Sequence, residues 1–486
     1  MSLGMCHESK GARLFKSMKV IWLILSLAVP AIAAPPAQPI TLTAGPHLFV
    51  DDYLISHQEH LERVLNQPVR LPAPIVTSAE DKNFQPYVSV VRDPQTRRFR
   101  MWYDAPADPP KIEPSRLAYL ESDDGIAWLR PHRLLENPGG IEIRFGASVF
   151  DEGPAFRDPT KRFKLGWNVG KFTDAAPGGL MVATSPDGFA WTPVPGKPPV
   201  LAHDHDINNI FFDPIRKRYL ATVSNMVPPP NGQGKRRQPF QSTSDDLVHW
   251  SEPWPVIVPD AQDEGEFQYY AMSGYLARGD LLIGLAKILR DDLPADPGGK
   301  VAGIGYTVLT WTRDGRTWQR ERAPFLDRNP APGTWDHAMT WIDCQLLAGD
   351  ELLLYYGGYA RGHKIERFAE RQIGLARMPR DRYVARRAGA EQGTLRTPMV
   401  QLDAAALTVN ANVEGELRVR ILDDKGHAIT GFDFADGTPI RGDAVAHPVR
   451  WKEPLETLRG RAVQLEFSLT KAQLYSFDLG AAVPGQ

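Results

Sequence analysis

One turn recurs along the chain and limits the fold more than any other feature. It has the form Ser/Thr-x-Asp-Gly-x-x-Trp, and it occurs as Ser122-Asp123-Asp124-Gly125-Ile126-Ala127-Trp128, Ser185-Pro186-Asp187-Gly188-Phe189-Ala190-Trp191 and Thr312-Arg313-Asp314-Gly315-Arg316-Thr317-Trp318. A fourth copy, Ser244-Asp245-Asp246-Leu247-Val248-His249-Trp250, has leucine at the glycine position. Successive tryptophans lie 63, 59 and 68 residues apart. A period of this length means one supersecondary unit per repeat, each stacked on the next, as in propeller blades. Apolar strands joined by an Asp-Pro bend accompany the turns, as in Val88-Ser89-Val90-Val91, Asp93-Pro94 and Phe99-Arg100-Met101-Trp102-Tyr103, or Ile210-Phe211-Phe212, Asp213-Pro214 and Tyr219-Leu220-Ala221-Thr222-Val223.

Five units follow, at about 84–140, 142–202, 204–262, 264–330 and 334–388. The fifth lacks the Trp turn but keeps three strands, Ala338–Ile342, Glu351–Tyr356 and Gln372–Ala376. Beyond Gly393 the pattern changes: Gly415–Leu422 and Ala462–Leu469 alternate apolar and polar residues, which marks half-buried antiparallel strands. The predicted fold is all-β, a five-bladed β-propeller over 45–392 followed by a small β-sandwich over 393–486. The 43 prolines and 41 glycines suit the many tight turns this requires.

Ahead of the repeats, Lys10, Arg13, Lys16 and Lys19 precede the apolar run Val20–Val29, then Pro30 and Ala31-Ile32-Ala33. That order of basic region, short apolar core and small residues reads as a signal peptide over 1–33, cleaved near Ala33, and predicts a secreted or periplasmic protein with no membrane span. Cys6 would leave with it, so Cys344 would stand alone in an apolar strand as an inert thiol. A net charge of −2 and a single short basic cluster, Lys235-Arg236-Arg237, exclude nucleic acid as the expected partner. The expected state is a monomer.

The repeats, the Asp-Gly-x-x-Trp turns and the leader together resemble the five-bladed propeller glycosidases of the invertase, arabinanase and mannosyl-phosphorylase type. His47-Leu48-Phe49-Val50-Asp51-Asp52-Tyr53-Leu54-Ile55, the run Tyr355-Tyr356-Gly357-Gly358-Tyr359 with His363, and Pro439-Ile440-Arg441-Gly442-Asp443 look like a family of secreted bacterial propellers. The resemblance implies a carbohydrate-active enzyme that takes an oligo- or polysaccharide and hydrolyses a glycosidic bond with carboxylates at the propeller funnel. The alternative is a propeller that binds a glycan or a protein without catalysis.

A glycosidic bond is cleaved between two carboxyl groups, one protonated and one ionised, so acids at the starts of inner strands are the catalytic candidates. Asp206 precedes Ile207-Asn208-Asn209, Glu266 precedes Phe267-Gln268-Tyr269 and Asp336 precedes His337-Ala338-Met339, equivalent places on successive blades. Substrate-binding candidates are Asp52, Tyr87, Asp104, His205, Asn209, Tyr269, Lys287, Trp335, His337 and His363; Asp104 and Lys287 close second strands that could face the funnel. Arg92-Asp93-Pro94 matches the invertase stabiliser motif superficially, but Asp-Pro recurs in the same bend as Asp158-Pro159 and Asp213-Pro214, and it is read as structural. In His203-Asp204-His205-Asp206 neighbouring side chains of an extended loop diverge, so no metal site is assigned there. No cofactor is required, although oxygen-rich Asp260, Asp263, Glu264 and Glu266 could hold a structural calcium ion.

Overall fold

In the computed structural model the described residues are 38–480, except 79–84, 109–114, 133, 136–140, 142, 144, 170–177, 197, 205–207, 229–233 and 366–370. The expected leader over 1–33, with Cys6, lies outside them. Among the described residues no helix is long and apolar enough to cross a membrane. Apart from two short 3-10 turns, the regular structure of the described residues is all β.

Five four-stranded antiparallel blades can be traced among the described residues. Blade 1 is Gln85–Arg92, Phe99–Pro106, Ser115–Ser122 and Leu129–His132; blade 2 is Phe145–Asp151, Phe163–Val169, Gly179–Ser185 and Thr192–Pro193. Blade 3 is Asn208–Asp213, Arg218–Val227, Arg236–Ser244 and Trp254–Pro255; blade 4 is Phe267–Arg278, Leu281–Arg290, Ile304–Thr312 and Gln319–Arg320. Blade 5 takes Met339–Ala348, Glu351–Tyr359 and Gln372–Pro379 from its own repeat, and its fourth strand, Val69–Arg70, from upstream of blade 1. The fifth repeat lacks the Trp turn because its outermost strand comes from elsewhere.

Innermost strands touch their neighbours all the way round the ring. The Ser89 hydroxyl accepts from the Val149 amide at 2.9 Å and Ser148 accepts from Ile210 at 3.0 Å, which link blades 1, 2 and 3. Ser273 donates to the Ile342 carbonyl, and the Cys344 thiol to the Val90 carbonyl at 3.4 Å, which link blade 4 to 5 and 5 to 1. Burial pushes the Cys344 thiol up to about 12, so it is inert at neutral pH.

The repeated turn works through its side chains. Asp124 accepts from the amides of Ile126 and Ala127, both at 2.8 Å, while the Ser122 hydroxyl accepts from Gly125; the other three copies repeat the pattern. The residue after the aspartate is left-handed, with φ of 76°, 82° and 73° at Gly125, Gly188 and Gly315, and 69° at Leu247. Buried Leu247 joins the core between blades 2 and 3, and that packing offsets its strained backbone. The tryptophans reach back to the preceding blade: Trp128 meets Tyr355, and Trp318 donates to Gln241 at 2.8 Å. The Asp-Pro aspartates likewise cap their own bends, Asp93 accepting from Gln95 and Thr96 and Asp213 from Ile215.

The second sheet extends past the expected 393–486. Ala406–Leu422 and Ala462–Gly480 form a long bulged antiparallel pair over a core that includes Val409, Leu417, Val419, Leu465, Phe467 and Phe477. Gly45–Leu48, His57–Glu59, Glu62–Leu65 and Val384–Ala388 also pair into this sheet. Residues 45–65 therefore stand in the sandwich sheet, and the propeller strands begin at Val69. The propeller is an insertion between strands of the sandwich.

Gly188→Ala tests the turn. A Cβ there would come within 2.8 Å of the Trp102 ring in a left-handed backbone, whereas Gly349, with φ of 68°, has open space. Gly349→Ala should cost about 1–2 kcal/mol in denaturant unfolding, and Gly188→Ala a further ~1–3 kcal/mol from the clash. Equal costs would mean that the turn does not pack against the neighbouring blade.

Candidate active site in the propeller channel

Where the inner strands converge, a cavity of about 10 Å³, room for about one water molecule, is lined by Tyr87, Ser89, Asn208, Asn209, Lys287 and Asp343 among others. Asp343 lies on the inner strand of blade 5, at the bulge between Ile342 and Cys344. Lys287, on the second strand of blade 4, ion-pairs with it, and both side chains are buried. The Lys287 ammonium also stands 5.5 Å from the centre of the Tyr87 ring.

Asp104, near the end of the second strand of blade 1, is fully buried, and neither carboxyl oxygen has a well-formed hydrogen bond. Burial pushes its pKa up to about 8; the negative charge of Asp343 adds to the rise, while the amides of Ala147 and Gly146 and the Arg371 guanidinium oppose it. Asp343 is raised to about 6, again by burial, with Lys287 as the main opposing influence, helped by the Val88 amide and Arg371. Of the two, Asp104 holds its proton more strongly, because Asp343 has the Lys287 ammonium beside it.

Arg371, just before the third strand of blade 5, is 2% exposed and lies over the Tyr359 ring at 5.0 Å. Tyr270 stacks on Trp341 at 4.3 Å, Arg237 lies over Tyr270 at 4.4 Å, and His363 meets both rings. Asp291, 3.8 Å from His363 Nδ1, accepts from Gln268 at 3.0 Å.

Of the expected site residues, Tyr87, Asn209 and Lys287 line the cavity, and the charge of Asp343 couples Asp104 to it. Asp206 and His205 lie outside the described residues. Asp204, beside them, accepts from the Met226 amide at 2.8 Å, while His203 is buried. Glu266 is half exposed and 3.3 Å from Arg236, at the edge between blades 3 and 4. Asp336 is buried away from the channel, accepting from Asn329 at 2.9 Å and Tyr356 at 3.0 Å, with Arg70 of the outermost strand at 3.7 Å. Trp335 stacks on Tyr356, and His337 bridges Asp296 and the Asn329 carbonyl. Tyr269 faces the other side of its strand from Tyr270 and packs beneath Arg320. Asp52 pairs with Arg386 of the sandwich sheet at 2.7 Å. Asp260 and Asp263 are held by Arg320 and Arg322, so two guanidinium groups already balance that acidic loop.

Inspection of strand starts misses Asp343, Arg371, Arg237 and Tyr270. The usable signal for Asp343 is a carboxylate between Ile342 and Cys344 inside an apolar strand, since a buried charge there needs a partner. Lys287 in Leu285-Ala286-Lys287-Ile288-Leu289 is the matching cation.

No protein-family model matches the chain, and no curated protein sequence does. Similar solved structures include an N-acetylgalactosamine deacetylase from F. plautii, in complex with blood group B trisaccharide, at 16% identity and TM-score 0.43, over 66% of this chain and 96% of that one. Another is a glycosyl hydrolase from Bacteroides ovatus, at 14% identity and TM-score 0.44, over 71% and 95%. A third is a fructofuranosidase from Schwanniomyces occidentalis, at 9% identity and TM-score 0.43, over 86% and 98%. With TM-scores below 0.5, these likenesses leave the propeller resting on its strand pairing and the site on its own geometry.

Asp104 ties the site to stability. Its folded pKa of about 8 lies above the unfolded value of about 3.9, so between them the folded chain holds a proton that the unfolded chain has released. Stability from this group is full below about pH 4, falls as pH rises and levels off above about pH 8. Asp104→Asn removes the penalty, so its stability relative to wild type should improve steadily from pH 5 to 8.5 in denaturant unfolding. A pH-independent difference would mean a solvated Asp104.

Proposed function

We propose that the chain is a carbohydrate-active enzyme that hydrolyses a glycosidic bond of an oligo- or polysaccharide, with Asp104 as general acid and Asp343 as general base. The observation that carries this reading is the buried pair of carboxyls whose pKa values fall on either side of neutrality, at about 8 and about 6. Asp104 would give its proton to the leaving glycosidic oxygen as the C1–O bond breaks. Asp343 would take a proton from the water that forms the new C1–O bond. The one-water cavity beside Asp343 supports a hydrolytic water there, and Lys287 favours the ionised base. Tyr87 and Asn209 line the same one-water cavity, where a ring and an amide can hold the attacking water. The leader pattern before Ala33 supports action outside the cytoplasm on an external glycan.

One observation favours a non-catalytic glycan-binding propeller: both carboxyls are buried and the described cavity has room for little more than a water. Hydrolysis separates the readings. Assays on plant, algal and bacterial polysaccharides and aryl glycosides should show sugar release by wild type and a loss of about 10²–10⁴-fold in folded Asp104→Asn and Asp343→Asn. Asp336→Asn and Glu266→Gln, once shown to be folded, should keep most of the activity. Sugar release that persists in both channel variants, or glycan binding without any release, would overturn the reading.

The pH profile is a second test. Activity needs Asp343 ionised and Asp104 protonated, so kcat/KM should follow a bell with limbs near 6 and near 8. In Asp104→Asn the alkaline limb should disappear from the residual rate. A flat profile between pH 5 and 9 would contradict the assigned pair.

A further inference from the structure

Outside the propeller, the sandwich sheet carries a cleft of about 340 Å³ on its solvent face. Strand register builds its polar side. Asn412 pairs with Gln473, and Gln473 with Arg387, so the three form one row across adjacent strands and share a face. Their neighbours Val413, Ala472 and Ala388 turn inward to the core. Glu414 and Lys471 follow next to the row, where the antiparallel pair bulges between Val413 and Glu416. Lys471 sits in the left-handed region at φ 45°, and its amide donates to the Gly389 carbonyl at 2.7 Å.

Elsewhere on this sheet several charged side chains are paired. Glu466 takes Arg396 and Arg420, Glu416 takes Arg418 and Arg441, and Asp436 takes Lys452. In the cleft the side chains of Asn412, Glu414 and Lys471 have no partner among the described residues, and Arg387 holds Glu62 with one of its nitrogens. An ammonium that only donates, a carboxylate that only accepts, the Asn412 amide that does both and the Gln473 amide, whose oxygen already accepts from the Tyr475 hydroxyl at 3.2 Å, form a set that hydroxyl groups can satisfy. Lys471 and Glu414 balance each other, which favours a neutral ligand over an anion. The volume is at the small end for ligand sites, and no aromatic ring lines it.

We propose that this cleft is a second saccharide site that holds one or two neutral sugar units by hydrogen bonds, without catalysis. It goes beyond the hydrolase reading and stands without it. The test is saturation-transfer NMR and calorimetric titration of the full chain with the methyl glycosides of glucose, galactose, mannose, xylose and arabinose, and with cellobiose and mannobiose. Lys471→Gly removes the ammonium at a position whose backbone suits glycine, and Glu414→Ala truncates an exposed side chain, so both variants should fold. The expected result is that at least one probe binds wild type, and that Lys471→Gly and Glu414→Ala each weaken it tenfold or more. Asp104→Asn should leave this binding unchanged whether or not the channel is catalytic. Failure of every probe, survival of binding in both cleft variants, or its loss in folded Asp104→Asn would overturn the proposal.

Discussion

Closure of the ring is the constraint on which the rest of the molecule depends. Blade 5 would end in an open edge at Gln372–Pro379 if Val69–Arg70, from the other end of the propeller, did not pair with it. With the ring closed, the inner strands can hydrogen-bond from blade to blade, through Ser89, Ser148, Ser273 and Cys344. Close approach of these strands leaves the middle of the channel nearly dry. Dryness then acts on the chemistry, because burial is the largest influence on both Asp104 and Asp343.

The sandwich is part of the same closure. The chain leaves it after Glu62–Leu65, runs through the propeller and returns at Val384–Ala388, and these two strands pair directly. Two buried arginines, Arg382 and Arg386, and the half-buried Arg278 hold the crossing. Arg382 donates to Asn410 and Asp443, Arg386 to Phe49, Asp51, Asp52 and Gln58, and Arg278 makes a two-pronged bond to Asp381. A guanidinium taken out of water is costly unless its donors are satisfied, so these contacts fix one arrangement of the crossing strands. Asp52 serves this joint.

The architecture was legible because its signals are local. The Ser-x-Asp-Gly turn states its hydrogen bonds within six consecutive residues, and the Trp spacing states the repeat. The fourth strand of blade 5 was not legible, since two residues, Val69 and Arg70, carry no pattern of their own and gain a partner only when the ring closes. The same holds for residues 45–65, whose short strands reveal their sheet only beside Ala462–Gly480, Gly393–Arg396 and Val384–Ala388. For the site, the reading of second-strand ends found Asp104 and Lys287, while the reading of inner-strand starts led to Asp336 and Glu266. Position along the strand tells how far a residue stands from the loop, but not which side its side chain takes. Asp336 turns toward Tyr356 and Arg70, whereas Asp343, seven positions on in the sequence, points into the channel. Two partly incompatible demands act on Asp343, burial and charge, and only the tertiary partner Lys287 reconciles them.

The proposed hydrolysis depends on one protonated and one ionised aspartate in the channel at neutral pH. That requirement is tested most directly by following the infrared carboxyl C=O band of the folded protein from pH 4 to 10, with Asp104→Asn and Asp343→Asn to assign the components. The account predicts one aspartic acid losing its proton near pH 8, absent in Asp104→Asn, and one near pH 6, absent in Asp343→Asn. It also predicts that Asp343→Asn moves the Asp104 step downward, because the charge of Asp343 helps to hold it up. Titration of both groups in the ordinary carboxylate range, about pH 4, would contradict it.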